Sequence, residues 1–193
     1  MFEMIARGLR LLAPLLLSAC PALADVPPLA PGSTHRIVFQ DVDGDDLATS
    51  DGHVTIVTVV TRANEEKARA VADLVPDRYL GDTHYRYVTV VNFQRKLAAP
   101  FQGLTLVVIR HRLDAEAKEL KAGYEAKKIA HDPRHDLYVV ADFDGGAVGQ
   151  LGLPVEGGEV AVFVFNGQGK LIARWTDVPP GDSLPKAIAA AAE

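Results

Sequence analysis

The chain has 193 residues and a single cysteine, Cys20. A cysteine thiolate can act as a nucleophile or a metal ligand, and disulfide exchange within one chain requires two thiols. Cys20 closes an apolar run that begins at Leu11, in the position where export signals end. Loss of the signal leaves the mature body without a thiol. The sequence therefore predicts no thiol oxidoreductase or peroxidase activity and no thiolate metal site.

Two other groupings are typical of metal sites at first inspection. His131 and His135 are four residues apart, but Pro133 between them prevents the regular helix that would place both imidazoles on one face. Four carboxylates resemble the opening of a calcium loop, yet Gly44 stands at its fourth place and not its sixth, and no glutamate follows at the twelfth: Asp41, Asp43, Asp45 and Asp46. We predict loop histidines, a polar turn, and no metal or cofactor.

Nucleophilic and phosphate-binding motifs are also missing from the sequence. No serine of the body lies in a Gly-x-Ser-x-Gly motif. The segment Gly167-Gln168-Gly169-Lys170 lacks the remaining residues of a phosphate loop and joins two predicted strands, so it is predicted to be a hairpin turn. An acid/base group drawn from Arg62, Glu65, Glu66 and His84 stays open as an alternative, beside the interpretation that these residues form a solvated helix start.

The N-terminal segment has the layout of an export signal. Residues 1–24 combine Arg7 and Arg10 with a short apolar core that Pro14 interrupts, which is too short for a membrane anchor. Two processing sites remain open: a lipobox that would leave a lipid on Cys20, and an ordinary cleavage site at residues 22–24. Either one predicts a periplasmic or lipid-anchored protein of the bacterial envelope. Any membrane contact would come through a lipid on Cys20.

Composition then bounds the rest of the chain. Residues 25–34 hold three prolines and are predicted to form an extended tether, and residues 35–193 form one domain. Hydrophobic residues make up 48% and charged residues 23%, as in an ordinary globular protein. The net charge of -5 and the dispersed basic residues argue against a nucleic-acid partner.

The order of the predicted elements indicates an α/β protein. A small hairpin near Asp43-Gly44 precedes a β-branched run, 54–60, which we expect to be the buried central strand. Asn64 is predicted to cap the helix that follows. Predicted strands at 85–92, 137–143, 160–165 and 171–175 alternate with helices at 64–75, 100–128 and 182–192, although residues 104–109 could also form a strand. This order predicts a three-layer α/β/α domain with a mixed sheet and a C-terminal β-hairpin plus helix.

From residue 35 to about residue 189 the chain resembles the thioredoxin-like superfamily, in particular redoxin-type proteins of bacterial envelopes. The resemblance rests on the early hairpin, on Gly52-His53-Val54-Thr55-Ile56-Val57 as the central strand, on Val139-Val140-Ala141-Asp142, and on the hairpin 160–172. It implies a thioredoxin-like fold. It also places Asn64 and Lys67 near the two cysteines of the family's Cys-x-x-Cys motif, and the segment Gly157-Gly158-Glu159-Val160 lacks the family's cis-proline.

These departures lead to a functional hypothesis. An amide at a helix N-terminus cannot replace a thiolate. We therefore expect a non-catalytic envelope protein that uses residues 61–67 and the loop 155–159 to bind a protein or peptide. The candidate binding residues are Arg62, Asn64, Glu65, Lys67 and Glu159. The alternative is a thiol-independent enzyme that uses the acid/base residues at the same end.

Overall fold

The computed structural model describes residues 28–193. The predicted export signal, the predicted lipidation site Cys20 and the first residues of the predicted tether lie outside the described residues.

A five-stranded mixed sheet forms the centre of the domain. Its strands are β3 (Val54–Val60), β4 (Tyr85–Asn92), β5 (Tyr138–Asp142), β6 (Ala161–Phe165) and β7 (Leu171–Trp175). They lie in the order β5-β4-β3-β6-β7. Strands β3, β4 and β5 are parallel to one another, whereas β6 runs antiparallel to β3 and forms a hairpin with β7. The predicted mixed sheet, its central strand and the C-terminal hairpin are confirmed.

Helices cover both faces of this sheet. They are α1 (Glu65–Ala72), α2 (Ala99–Lys127), α3 (Gly146–Gln150) and α4 (Ser183–Ala191). Val54 and Ile56 of β3 join a core with residues of α1 and α4, while Val57 and Val59 join the core that contains α3. Because the central strand is packed on both faces, five of its seven residues are valine or isoleucine. Residues 104–109 are helical, which decides between the two predictions for them. None of the helices in residues 28–193 combines the length and apolar composition needed to cross a bilayer.

The predicted N-terminal hairpin forms a separate two-stranded sheet of β1 (Val38–Gln40) and β2 (Asp46–Ala48). Its Phe39 and Leu47 pack into the core on the α3 side. Asp41 is turned inward and accepts hydrogen bonds from the N–H groups of Asp43 and Asp45, both at 2.9 Å. Asp41 therefore stabilises a turn, as predicted. Within residues 28–193 no group of three or more candidate ligands could hold a metal ion.

The predicted tether is in part packed on the domain. Leu29 is buried in the core, and Gly32 donates a hydrogen bond to the carbonyl of Leu171 at 2.7 Å. Thr34 forms a β-bridge with Lys170. Proline-rich composition indicates an extended backbone, and an extended backbone can also pair along a strand edge. Residues 29–34 are therefore a packed part of the domain, and the tether prediction is wrong for them.

Candidate functional site

The carboxyl ends of the three parallel strands meet at one edge of the sheet. Residues 61–67 follow β3, residues 93–98 follow β4, and residues 143–145 follow β5. A loop of residues 152–160, here called the crossing loop, joins α3 to β6 and returns the chain to this edge. In open α/β sheets this edge is where ligands bind, because the loops here can diverge without disturbing the sheet.

Asn64 connects the end of β3 to the crossing loop. Its side chain is 9% exposed, and its Oδ1 accepts a hydrogen bond from the N–H of Thr61 at 2.7 Å. Its Nδ2 donates to the carbonyl of Gly158 at 3.0 Å. Asn64 immediately precedes α1, as predicted, but its side chain makes no capping hydrogen bond to that helix. The capping prediction is wrong because a short 3-10 turn at Arg62–Asn64 brings the side chain within reach of Thr61 and the crossing loop.

Two further amides, which the sequence analysis missed, hold the same loop. Asn92, the last residue of β4, is buried and donates from Nδ2 to the carbonyl of Val155 at 2.8 Å. Its Oδ1 accepts from the N–H of Gln94 at 2.7 Å, and Gln94 Nε2 donates to the carbonyls of Glu156 and Gly157, both at 3.0 Å. For Asn92 the available signal was a polar residue at the end of an apolar strand.

The crossing loop is thus bound through its oxygens. The carbonyls of residues 155–158 all accept hydrogen bonds from Asn64, Asn92 or Gln94. Within the loop, Gly157 donates its N–H to the carbonyl of Pro154. No described residue accepts a backbone hydrogen bond from the N–H groups of residues 155, 156, 158 or 159. Glu156, Gly158 and Glu159 are exposed, so this part of the loop can present donors to an external acceptor.

The turn after β5 supports the loop from the other side. Asp142 is buried, and its two carboxylate oxygens accept hydrogen bonds from the N–H groups of Gly145 and Val148, each at 2.8 Å. Gly145 has a φ of 83°. A Cβ at this position would lie 2.4 Å from Cγ1 of Val155, so the turn packs directly against the crossing loop.

The predicted charged residues surround this edge and are exposed. Arg62, Glu65 and Glu159 point into solvent, and Lys67 forms an ion pair with Asp177 at 2.8 Å. The hydrogen bond from Lys67 lowers the pKa of the Asp177 carboxyl below its ordinary range. Exposed ion pairs contribute little to stability. Because the fold depends little on these charged side chains, they are available for contacts with another molecule.

The alternative acid/base group does not assemble. Arg62 follows the carboxyl end of β3, whereas the carbonyl of His84 accepts a hydrogen bond from the N–H of Val54 at the opposite end of that strand. The length of a seven-residue strand, about 23 Å at ~3.3 Å per residue, separates these two ends. His84 therefore cannot act together with Arg62, Glu65 and Glu66.

An apolar stripe lies on the first turns of α2. The side chains of Phe101 and Leu104 are 58% and 65% exposed, and Val107 and Val108 are also largely exposed. Helix α2 starts shortly after β4 ends, so the crossover topology begins this helix at the carboxyl edge of the sheet. The edge thus has both polar donors and exposed apolar side chains nearby.

The comparisons with known proteins establish the fold. No family model matches the chain, and no curated protein matches it. Among solved structures, a protein described as a thiol:disulfide interchange protein, DsbE, from Chlorobium tepidum is similar, with a TM-score of 0.52, 12% identity, and coverage of 84% of this chain and 98% of that chain. A peroxiredoxin-like protein from Aquifex aeolicus has a TM-score of 0.50 and 14% identity, covering 86% of this chain and 90% of that one.

DsbF from MTB, solved in mixed oxidized and reduced forms, has a TM-score of 0.50 and 12% identity, covering 81% of this chain and 96% of that one. The chain therefore has the thioredoxin-like fold that its sequence predicts. Unlike a protein that exchanges a disulfide at this edge, it has no cysteine in residues 28–193.

Proposed function

We propose that this protein is a binding module of the bacterial envelope that docks an extended protein or peptide segment at the carboxyl edge of its sheet and carries out no redox step. The observation that supports the proposal most directly is the crossing loop, whose carbonyls bind the domain while the N–H groups of residues 155, 156, 158 and 159 have no backbone partner among residues 28–193. An extended peptide offers carbonyls at regular spacing, and pairing of main-chain groups is a common mode of peptide recognition.

The surroundings of the loop support the same proposal. Arg62 and Glu159 provide exposed charges of both signs for side-chain selectivity, and the apolar stripe of α2 offers a place for hydrophobic side chains. The predicted export signal supports a location in the envelope. The one cysteine in the chain, Cys20, lies in that signal segment, so a Cys-x-x-Cys pair is absent from the sequence.

Site-specific photo-cross-linking tests the proposal. A benzophenone amino acid replaces Ala63, which is exposed beside Asn64, or Ala115, which is exposed in the middle of α2. We expect Ala63 variants to cross-link to discrete envelope proteins that Ala115 variants do not capture. A peptide from the captured protein should then bind the purified domain and should bind the Glu159→Pro variant more weakly, because proline removes one loop N–H.

The opposite results are equally clear. Identical cross-linking patterns at Ala63 and Ala115, or a peptide whose affinity is unchanged by Glu159→Pro, would exclude docking at the crossing loop. Disulfide reduction or peroxide consumption by the purified mature protein, above the level of buffer alone, would exclude a role without redox chemistry.

A further inference from the structure

The face of β4 that is turned toward α1 is incompletely covered. Along β4, residues 86, 88, 90 and 92 are buried on the α3 side, whereas residues 85, 87, 89 and 91 are only half-buried. A cleft of about 330 Å³ lies above this half-covered face, between α1 and the second half of α2. The cleft is open to solvent, and its volume is large enough to admit a small molecule.

The cleft has mostly apolar walls. Ile56, Thr58, Tyr85, Tyr87 and Thr89 of the sheet form its floor, and Ala68, Val71 and Val75 of α1 form one wall. Leu120 and Tyr124 of α2 line the opposite side, and Pro76, Tyr79 and Leu80 lie between the two helices. Its volume falls at the lower end of the range of about 300–1,000 Å³ that is typical of small-molecule sites.

The cleft also contains a polar atom that the fold leaves unsatisfied. The hydroxyl of Tyr87 is buried and has no hydrogen-bond partner among the described residues. Two neighbouring tyrosines are engaged: Tyr124 donates to Asp136, and the Tyr79 hydroxyl accepts from Arg78 at 2.8 Å. Burial raises the pKa of the Tyr87 phenol well above its ordinary value, so the group remains a protonated donor. A buried donor without an acceptor is costly, and a ligand oxygen would satisfy it after a shift of the side chains that cover the hydroxyl.

Charges at the cleft select against one class of ligand. Three carboxylates, Asp77, Asp82 and Asp136, are among the lining residues. The His131 imidazole lies 2.7 Å from Asp136, Arg78 donates to the Tyr79 hydroxyl, and Lys127 donates to the carbonyl of Asp77. Both cations lie outside the lining residues, which hold three carboxylates and no lysine or arginine. A carboxylate or sulfonate on the ligand would therefore be repelled, and an uncharged ligand would not.

We propose that this cleft binds an uncharged, largely apolar small molecule that carries a carbonyl or ether oxygen, which accepts a hydrogen bond from the hydroxyl of Tyr87. The site lies over the floor of β3 and β4 and under α1, and the crossing loop contributes no residue to it. It is therefore independent of the proposed peptide docking.

Fluorescence titration of residues 25–193 with Prodan tests the proposal. Prodan is uncharged, has one carbonyl oxygen, and shifts its emission to the blue in apolar surroundings. We expect saturable binding with a stoichiometry of one. Tyr87→Phe keeps the ring and removes the donor, so it should weaken binding by about 3- to 10-fold, the range expected for one net hydrogen bond. Tyr138→Phe is the matched control, because Tyr138 packs in the core on the opposite face of the sheet.

A second pair of variants tests the volume of the cleft. Ala68→Phe places a ring into the space from the α1 wall, whereas Ala70→Phe adds the same ring on the exposed side of the same helix. Binding should be lost in the first variant and retained in the second, with circular dichroism confirming that both are folded. The anionic probe anilinonaphthalene sulfonate should bind at least about 10-fold more weakly than Prodan because of the three carboxylates.

Several outcomes would overturn the proposal. They are an absence of saturable Prodan binding, equal affinities of the Tyr87→Phe and Tyr138→Phe variants, and anilinonaphthalene sulfonate binding as tight as Prodan binding. Binding that survives Ala68→Phe in a folded protein would also place the probe elsewhere. The Glu159→Pro variant should bind Prodan normally, so failure of peptide docking and failure of this proposal are distinguishable.

Discussion

Asn64→Asp is the substitution that separates a structural amide from a solvated helix cap. An aspartate at this position keeps an oxygen that can accept from the N–H of Thr61. It loses the donor to Gly158 and sets a carboxylate oxygen against a carbonyl oxygen, at a site where the two heavy atoms are now 3.0 Å apart. If Asn64 merely capped α1, the new negative charge would lie beside the positive end of the helix dipole. The substitution would then leave the stability unchanged or increase it.

The size of the effect follows from burial. One net hydrogen bond is worth about 1 kcal/mol, and a carboxylate that is largely buried at position 64 and faces a carbonyl oxygen adds a further ~1–2 kcal/mol. We therefore expect Asn64→Asp to lower the free energy of unfolding by about 2–3 kcal/mol at neutral pH. Asn64→Ala loses both hydrogen bonds and should cost about 2–4 kcal/mol. A simple cap model predicts a loss for alanine only.

Urea unfolding followed through Trp175, the one tryptophan of the chain, measures these free energies. Asn166→Asp is the matched control, because Asn166 uses only its Oδ1, as acceptor for the N–H groups of Gln168 and Lys170. It should change the unfolding free energy by less than about 0.5 kcal/mol. Limited proteolysis after glutamate is a local readout, since release of the crossing loop should speed cleavage after Glu156 in Asn64→Asp alone.

The result that refutes this reasoning is an Asn64→Asp protein as stable as the wild type. Equal cleavage rates after Glu156 in the wild type and in Asn64→Asp would lead to the same conclusion. Either outcome would mean that the amide does not hold the crossing loop, and it would remove the main support for the docking surface.

Three further predictions concern other parts of the fold. Asp142→Asn replaces one of two buried acceptors by a donor and should cost about 2 kcal/mol of unfolding free energy, whereas a cost below 0.5 kcal/mol would contradict the assigned hydrogen bonds. Burial raises the pKa of Asp51, but hydrogen bonds from His53 and Arg86 outweigh burial and hold this pKa below its ordinary value. The stabilisation from Asp51 is therefore complete above about pH 4 and is lost as the pH falls through the folded pKa, so the difference in unfolding free energy between wild type and Asp51→Asn should shrink only in acid. Leu104→Ser should leave the melting temperature almost unchanged because the side chain is 65% exposed, and a loss above about 1 kcal/mol would show that α2 packs more closely than described.

The hydrophobic pattern of the sequence predicted the strands of the sheet well, because the burial of each strand determines which of its residues are apolar. β4 begins and ends where the apolar alternation does, at Tyr85 and Asn92. The local pattern failed for Leu29, which is buried. The prolines around it indicate an extended chain, but they do not indicate whether that chain packs against the domain. Residues 104–109 are apolar enough for a strand or a helix, and only the length of the surrounding helical segment, Ala99–Lys127, decides between them.

The position of the candidate site could be predicted from the sequence, but the hydrogen bonds that build it could not. The strand-to-helix junction at Asn64 followed from local pattern, whereas its hydrogen bond to Gly158 joins residues 94 positions apart. Asn92 and Gln94 were missed for the same reason, because their partners at 155–157 lie more than 60 positions along the chain. Local residue preferences cannot predict hydrogen bonds between a side chain and a backbone group so far apart in the sequence.

The chemistry of the carboxyl edge follows from what these polar groups already bind. A reactive group at a helix N-terminus needs a free atom that the field of the helix can activate. Both atoms of the Asn64 amide are engaged, one with Thr61 and one with Gly158. Both atoms of the Asn92 amide are likewise engaged, and the carboxylate of Asp142 accepts from two backbone N–H groups. Side chains at or shortly after the ends of all three parallel strands thus hold backbone in place. The docking proposed above would therefore use the N–H groups of the crossing loop that have no backbone partner among residues 28–193, together with the charged and apolar side chains around them.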